Sequence, residues 1–128
     1  MKKERLPAAE LDIMKVLWES DVPLRASEIA KKLANEHSWK TPTVHKLLSR
    51  LEEKAFVSAD RTSYYHKFSS CVTEDEYISG QSQALLENAG RRLPQMVATL
   101  IDSYDVTDEE LNELSELIEK RIKHLKKK

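Results

Sequence analysis

The stretch Lys40-Thr41-Pro42-Thr43-Val44-His45-Lys46-Leu47-Leu48-Ser49-Arg50-Leu51 decides how this chain is read. Val44, Leu47, Leu48 and Leu51 recur at i, i+3, i+4 and i+7, the apolar stripe of an amphipathic helix. Pro42 suits its first turn, where a missing N–H leaves no partner stranded. The helix is expected to run to about Lys54. Its stripe must face a core, so the opposite face carries Thr41, Thr43, His45, Lys46, Ser49 and Arg50. Short hydroxyls near a helix start, followed by two cations one turn apart, can meet phosphates and base edges. An ordinary solvated helix face would look the same in isolation.

Upstream, Leu11, Met14, Leu17 and Trp18 share one helical face, which predicts a first helix over Ala8 to Ser20. Asp21-Val22-Pro23-Leu24 breaks the period as a turn or a very short strand. Ile29, Ala30 and Leu33 support a second helix from Ala26 to His37. Downstream, Phe56-Val57-Ser58-Ala59-Asp60 and Tyr64-Tyr65-His66-Lys67-Phe68 are short, aromatic and β-branched. The polar Arg61-Thr62-Ser63 between them predicts a hairpin. Helix, turn, helix, helix and hairpin is the layout of a winged helix-turn-helix. In that layout the third helix can enter the major groove while the hairpin touches flanking backbone. Arg61 at the hairpin tip is then the candidate for a phosphate or minor-groove contact. Tyr64 and Tyr65 are expected to alternate across the second strand, one packing inward.

The remainder is helical. Thr73-Glu74-Asp75-Glu76 and Thr107-Asp108-Glu109-Glu110 both read as capping boxes. They open a fourth helix, reaching about Asn88, and a sixth. A short fifth helix covers Pro94 to Ser103. Leu111, Leu114, Ile118, Ile122 and Leu125 line one stripe of the sixth. The expected fold class is therefore mostly α with a small β-hairpin. A winged-helix domain over 1–70 and a helical dimerisation domain over 71–128 are expected, with the boundary near Ser69 to Val72. Three thin helices cannot bury such stripes among themselves. A second copy of the chain is the simplest cover, through Leu100, Ile101, Leu111, Leu114, Ile118 and Ile122. Folding back onto the chain's own winged helix is the alternative.

Composition narrows the function classes. Of 128 residues, 40% are hydrophobic and 34% charged, which suits a folded globular protein rather than a disordered one. The net charge of −1 is unevenly spread: residues 1–70 carry 13 Lys+Arg against 10 Asp+Glu, and residues 71–128 carry 8 against 12. A local basic surplus can still meet phosphates. No apolar run approaches the roughly 20 residues of a membrane span, and the basic Met1 to Arg5 leads into no signal core. The lone Cys71 excludes an internal disulfide, and a cytoplasmic protein is expected. His37, His45, His66 and His124 are scattered, and no phosphate loop or nucleophile elbow is present. Neither enzyme chemistry, metal nor cofactor is expected.

Several of these residues together resemble the penicillinase-repressor family of winged-helix repressors, which includes the methicillin-resistance and copper-transport repressors. The likeness is carried by Leu11-Asp12-Ile13-Met14-Lys15-Val16-Leu17-Trp18, Glu28-Ile29, Trp39 to Leu51, Lys54, Tyr64 to Phe68 and Glu74 to Tyr77. The resemblance implies a homodimer that occludes a promoter at a palindromic double-stranded DNA operator. It implies reading from the third helix and an intertwined C-terminal interface. The chain departs from the family at Arg25, where relatives carry a Thr or Ser cap, and at Ala55, where they carry Gly. Pro42 and His45 replace a Lys and an Arg, which leaves the operator sequence open. The Cys-x-Cys pairs of the copper-sensing branch are absent. In the β-lactam-responsive branch a sensor protease cuts an Asn-Phe bond, and the corresponding place here is Thr99-Leu100. Release by proteolysis or by a ligand stays open. A winged helix that binds protein instead of DNA is the rival reading.

Overall fold

The computed structural model describes residues 4–127. The elements in chain order are α1 (Ala8–Glu19), α2 (Ala26–Lys32), α3 (Thr41–Glu53), β1 (Val57–Asp60), β2 (Lys67–Ser70), α4 (Glu74–Asn88), α5 (Leu93–Ser103) and α6 (Asp108–Lys126). The stripe of α3 is its core face: Val44, Leu47, Leu48 and Leu51 are all buried. They meet Ile13, Met14 and Leu17 of α1, Ala26 and Ile29 of α2, and Phe56, Val57, Phe68 and Val72 around the hairpin. β1 and β2 pair antiparallel, in register from Val57 opposite Ser70 to Asp60 opposite Lys67. Leu24 adds a one-residue third strand, exchanging backbone bonds with Phe68 at 3.0 and 2.7 Å. The mostly helical winged helix-turn-helix read from the sequence is thus the fold.

α3 ends in a Schellman motif. Phe56 donates its N–H to the Leu51 carbonyl (2.9 Å) and Ala55 donates to Glu52 (3.0 Å). Leu51 and Phe56, the two residues this motif brings together, are both buried. The geometry puts Ala55 at φ +64°, in the left-handed region. Here the missing glycine has a physical consequence, because an L side chain is strained there.

Two expectations from the sequence shift. α2 stops at Lys32 rather than His37, and the chain turns through 33–36. There His37 is drawn to Asp12 of α1 (2.8 Å) and stacks on Trp39 at 3.7 Å. β2 starts at Lys67 rather than Tyr64, so neither tyrosine lies in a strand. Tyr64 and Tyr65 are 90% and 59% exposed, and neither packs inward. The reason is Asp60, whose carboxylate accepts from both the backbone N–H (3.0 Å) and hydroxyl (2.7 Å) of Thr62. This local turn diverts the chain before it can continue the ladder.

The chain divides into two compact units, the first ending at Leu85 and the second beginning at Leu86. The first unit continues past the hairpin. Its extension is the start of α4, opened by the reciprocal Thr73–Glu76 capping box. Tyr77 of α4 is buried beside Trp18 (5.8 Å) and Phe56 (6.1 Å), and its hydroxyl accepts from the Leu6 N–H at 3.0 Å. The Trp18 indole N–H in turn donates to the Val72 carbonyl at 2.7 Å.

In the second unit, Thr107 and Glu110 form the other capping box, at the head of α6. α5 and α6 contain no buried residue. Leu100, Leu111, Leu114, Leu117, Ile118, Ile122 and Leu125 are exposed, while Ile101 is half-buried. Among the described residues no helix is long and apolar enough to cross a membrane.

Ala55→Gly should stabilise the protein by about 0.5–1 kcal/mol, the left-handed strain relieved less the extra chain entropy of glycine. The measurement is the urea midpoint at unchanged m-value. A midpoint that stays or falls would show that Ala55 carries no strain.

Candidate nucleic-acid interface

The face of α3 opposite its core stripe is solvent-facing. Thr43, His45, Lys46, Ser49 and Arg50 are exposed and Thr41 is half-buried. The first turn of α3 holds no acidic residue, and no side chain caps it. The positive end of the helix is therefore left without a local counter-charge. Among the described residues no ion pair engages Lys46 or Arg50, which lie one turn apart. His45 leans toward the hairpin, its ring edge-on to Phe68 at 6.0 Å. The six α3 residues singled out in the sequence thus gather on one surface.

Arg61 is engaged within the protein. Its guanidinium forks onto the Glu52 carboxylate of α3, donating at 2.8 and 2.7 Å. The Arg61 hydrogen bonds hold the Glu52 carboxyl below the usual glutamate range, burial opposes them, and the Arg61 charge adds to the lowering. The same fork raises Arg61. Thr62 likewise holds the Asp60 carboxyl down, through its hydroxyl first and its backbone N–H second. At the other end of the loop, the Arg25 guanidinium lies 5.1 Å from the Tyr65 ring centroid, a cation–π contact. Tyr64 meets Tyr65 edge-to-face at 4.9 Å.

Arg25 explains how α2 starts without the hydroxyl cap. Its side chain carries donors only and cannot accept a backbone N–H. Instead Glu28 accepts from the Arg25 backbone N–H at 2.9 Å and from its Nε at 3.3 Å. The backbone bond is the main cause holding the Glu28 carboxyl below its ordinary range.

A pair that sequence reading missed braces the other end of α3. Glu10 of α1 is 2% exposed and accepts from Lys54 Nζ at 2.6 Å, with Glu4 a further 3.8 Å contact. Glu10 precedes Ile13, Met14 and Leu17 by three, four and seven residues. A carboxylate standing on an apolar stripe is the signal that could have found it. Nothing in the sequence pairs Glu52 with Arg61, because the contact crosses a loop. Among the described residues no cluster of His, Cys, Asp or Glu could hold a metal ion, and Cys71 is an exposed thiol.

Comparison with known proteins bears on this surface. The penicillinase repressor family model matches residues 6–120. The penicillinase repressor of Bacillus licheniformis is 28% identical over 121 residues, covering 93% of this chain and 94% of that protein. The methicillin resistance regulatory protein MecI of Staphylococcus aureus (strain N315) is 20% identical over 121 residues, covering 94% and 98%. The solution structure of the DNA-binding domain of the repressor BlaI matches with a TM-score of 0.51 at 25% identity, over 59% of this chain and 92% of that one. Staphylococcus aureus MarR, solved with salicylate and kanamycin, shares the fold at TM-score 0.50 and 13% identity, covering 96% and 75%.

The Glu52 pair gives a pH prediction. A depressed native carboxyl contributes stability above its ordinary range and loses that contribution as pH falls through the native value. The Glu52 side-chain carbon should titrate below an ordinary glutamate by NMR and return to the ordinary range in Arg61→Ala. Equal midpoints in both proteins would mean that the fork does not form in solution.

Proposed function

The chain belongs to the penicillinase repressor family, matched over residues 6–120, and on that premise we propose that it is a DNA-binding transcriptional repressor rather than an enzyme. One observation carries the reading most directly. The exposed face of α3 is polar and basic, the opposite face is locked in the core, and the surrounding domain resembles the DNA-binding domain of the repressor BlaI. In this reading α3, with Thr41, Thr43, His45, Lys46, Ser49 and Arg50, enters the major groove, and the hairpin over 57–68 lies along the backbone. Base edges are read by the side chains, and phosphate contacts set the register.

Dimerisation is the second part of the proposal. α5 and α6 expose Leu100, Leu111, Leu114, Ile118 and Ile122 and bury nothing of their own. Burial of apolar surface stabilises by roughly 25 cal/mol per Å², so a second copy covering these stripes, with Ile101 beside them, would be strongly favoured. A symmetric dimer presents two copies of α3 to two half-sites, which is why a palindromic operator is proposed. DNA reading is assigned to the winged helix over 1–70 and pairing to the helices over 71–128. Such a dimer would act in the cytoplasm by blocking a promoter. Thr99 and Leu100 lie inside α5, and the Thr99 hydroxyl bonds back to the Gln95 carbonyl at 2.9 Å. A sensor protease acting there would have to unwind that turn first, whereas a releasing ligand would not.

The experiment is selection of genomic fragments by the purified full-length protein at two salt concentrations. Enrichment of a short inverted repeat that is lost at higher salt is expected, because phosphate-driven binding falls with a log–log slope of about −0.9 per phosphate neutralised. No enrichment at low salt would sink the DNA-binding reading in favour of a protein-binding winged helix. On the selected site, Arg50→Ala should cost about 1–3 kcal/mol and relax preference at one position. Leu114→Glu should give monomers by sedimentation with weakened operator binding, and an unchanged dimer would place the interface elsewhere.

A further inference from the structure

Arg61 is the residue whose environment fits its expected task least well. A phosphate contact at a wing tip should be an extended cation with its donors turned outward. Here both terminal nitrogens of the guanidinium are committed to the two oxygens of Glu52, at 2.8 and 2.7 Å. Glu52 sits in the last turn of α3, three residues beyond Ser49 and two beyond Arg50. A lone carboxylate so near the reading face would repel a phosphate backbone, and the fork cancels that charge. The loop is fastened again at its far end, where Arg25 at the start of α2 lies over Tyr65. Between these anchors the Asp60–Thr62 turn and the Ser63 hydroxyl bond to the Tyr65 carbonyl (2.8 Å) order the chain. Tyr64 is left at the tip, 90% exposed.

We propose that Arg61 is a positioning residue: through Glu52 it braces the wing against the C-terminal turn of α3, setting where the wing meets DNA, and it does not itself bind phosphate. The proposal rests on the DNA-binding reading above. The brace acts by reducing the entropy the wing loop must lose on binding, the general route by which preorganisation adds affinity. Its fork geometry matters, because an ammonium makes a point contact where a guanidinium makes two parallel hydrogen bonds.

The test uses full-length protein, the inverted repeat selected above as a fluorescein-labelled duplex, and anisotropy titrations over a range of salt. All substitutions fall on exposed or half-exposed side chains, and circular dichroism checks that each variant is folded. Glu52→Gln should weaken binding about two- to five-fold, the range of an exposed pair. Arg61→Lys should weaken binding about as much as Glu52→Gln. Arg61→Gln should weaken it further because it also leaves the Glu52 charge uncompensated, and the double variant Glu52→Gln/Arg61→Gln should be no worse than Arg61→Gln. The double variant removes the pair without changing net charge, so its salt slope should equal that of the wild type. In the free protein, the Arg61 Nη–H resonances should be resolved and slowly exchanging, and they should broaden in Glu52→Gln.

Three results would overturn the brace while leaving DNA binding intact. These are unchanged or tighter binding by Glu52→Gln, affinity retained by Arg61→Lys but not by Arg61→Gln, or a salt slope smaller by about 0.9 in the double variant. Each marks Arg61 as a phosphate contact that Glu52 merely competes for. A wild-type protein that binds no duplex at low salt would instead bring down the DNA-binding reading, and the brace with it, whatever the Arg61 resonances show.

Discussion

Everything on the proposed reading surface depends on the burial of one stripe. Val44, Leu47, Leu48 and Leu51 are held between α1, α2 and the base of the hairpin, and three of the four have no exposed surface. A helix with four aliphatic side chains locked in a core has no rotational freedom about its axis. Rotating it by one residue, about 100°, would expose two or more of them and forfeit several kcal/mol of burial. Thr43, His45, Lys46, Ser49 and Arg50 therefore face out because Val44, Leu47, Leu48 and Leu51 face in. Surface chemistry here is a by-product of core packing.

The stripe fixes rotation, and two ion pairs at the end of α3 constrain what surrounds it. Lys54, at the helix cap, reaches back to Glu10 on α1, and Glu52, two residues earlier, reaches out to Arg61 on the wing. The two pairs differ in kind. Glu10 is almost wholly buried, so losing Lys54 would leave a charge in the interior, an uncompensated cost that exposed pairs do not carry. The Glu52–Arg61 fork is half-exposed and adds little to stability. One pair secures the scaffold, and the other fastens the wing to the end of α3. Directly after Lys54 comes Ala55, whose left-handed backbone lets Phe56 drop into the core while the chain turns toward the wing.

How much of this was legible in the sequence follows from range. Periodicity and capping are local, and they placed α1, α3 and the starts of α4 and α6 within a residue or so. The Leu24 bridge was visible as a turn or a very short strand. The hairpin tip was not legible, because the aromatic pair Tyr64-Tyr65 reads as strand while the Asp60 carboxylate makes a turn instead. A side chain bonding to backbone two residues on overrides β-propensity. The end of α2 was lost for a related reason, as His37 is pulled to Asp12 on another helix. The contacts of Arg61 and Arg25 were invisible, since they join residues that only the folded wing brings together. On the reading surface, the identity of the α3 residues could be taken from the sequence, but which cations are already engaged could not.

That last distinction bears on the net charge. A value of −1 is a poor guide to a protein whose charges are internally spent. Arg25 is occupied by Glu28, Lys54 by Glu10 and Arg61 by Glu52. Subtracting such pairs removes equal numbers of each sign and leaves the balance unchanged, yet it changes the field at the surface. Glu52 at the end of α3 is neutralised at contact distance by Arg61, while Lys46 and Arg50 face solvent. In a field that salt screens within about 10 Å, those nearest charges are the ones a phosphate backbone would meet. The acidic surplus is carried beyond residue 70, with Asp108, Glu109 and Glu110 gathered in the first turn of α6, where the helix dipole favours them. A nearly neutral chain can thus keep Lys46 and Arg50 exposed on the proposed reading face, with its acidic surplus lying beyond residue 70 in the sequence.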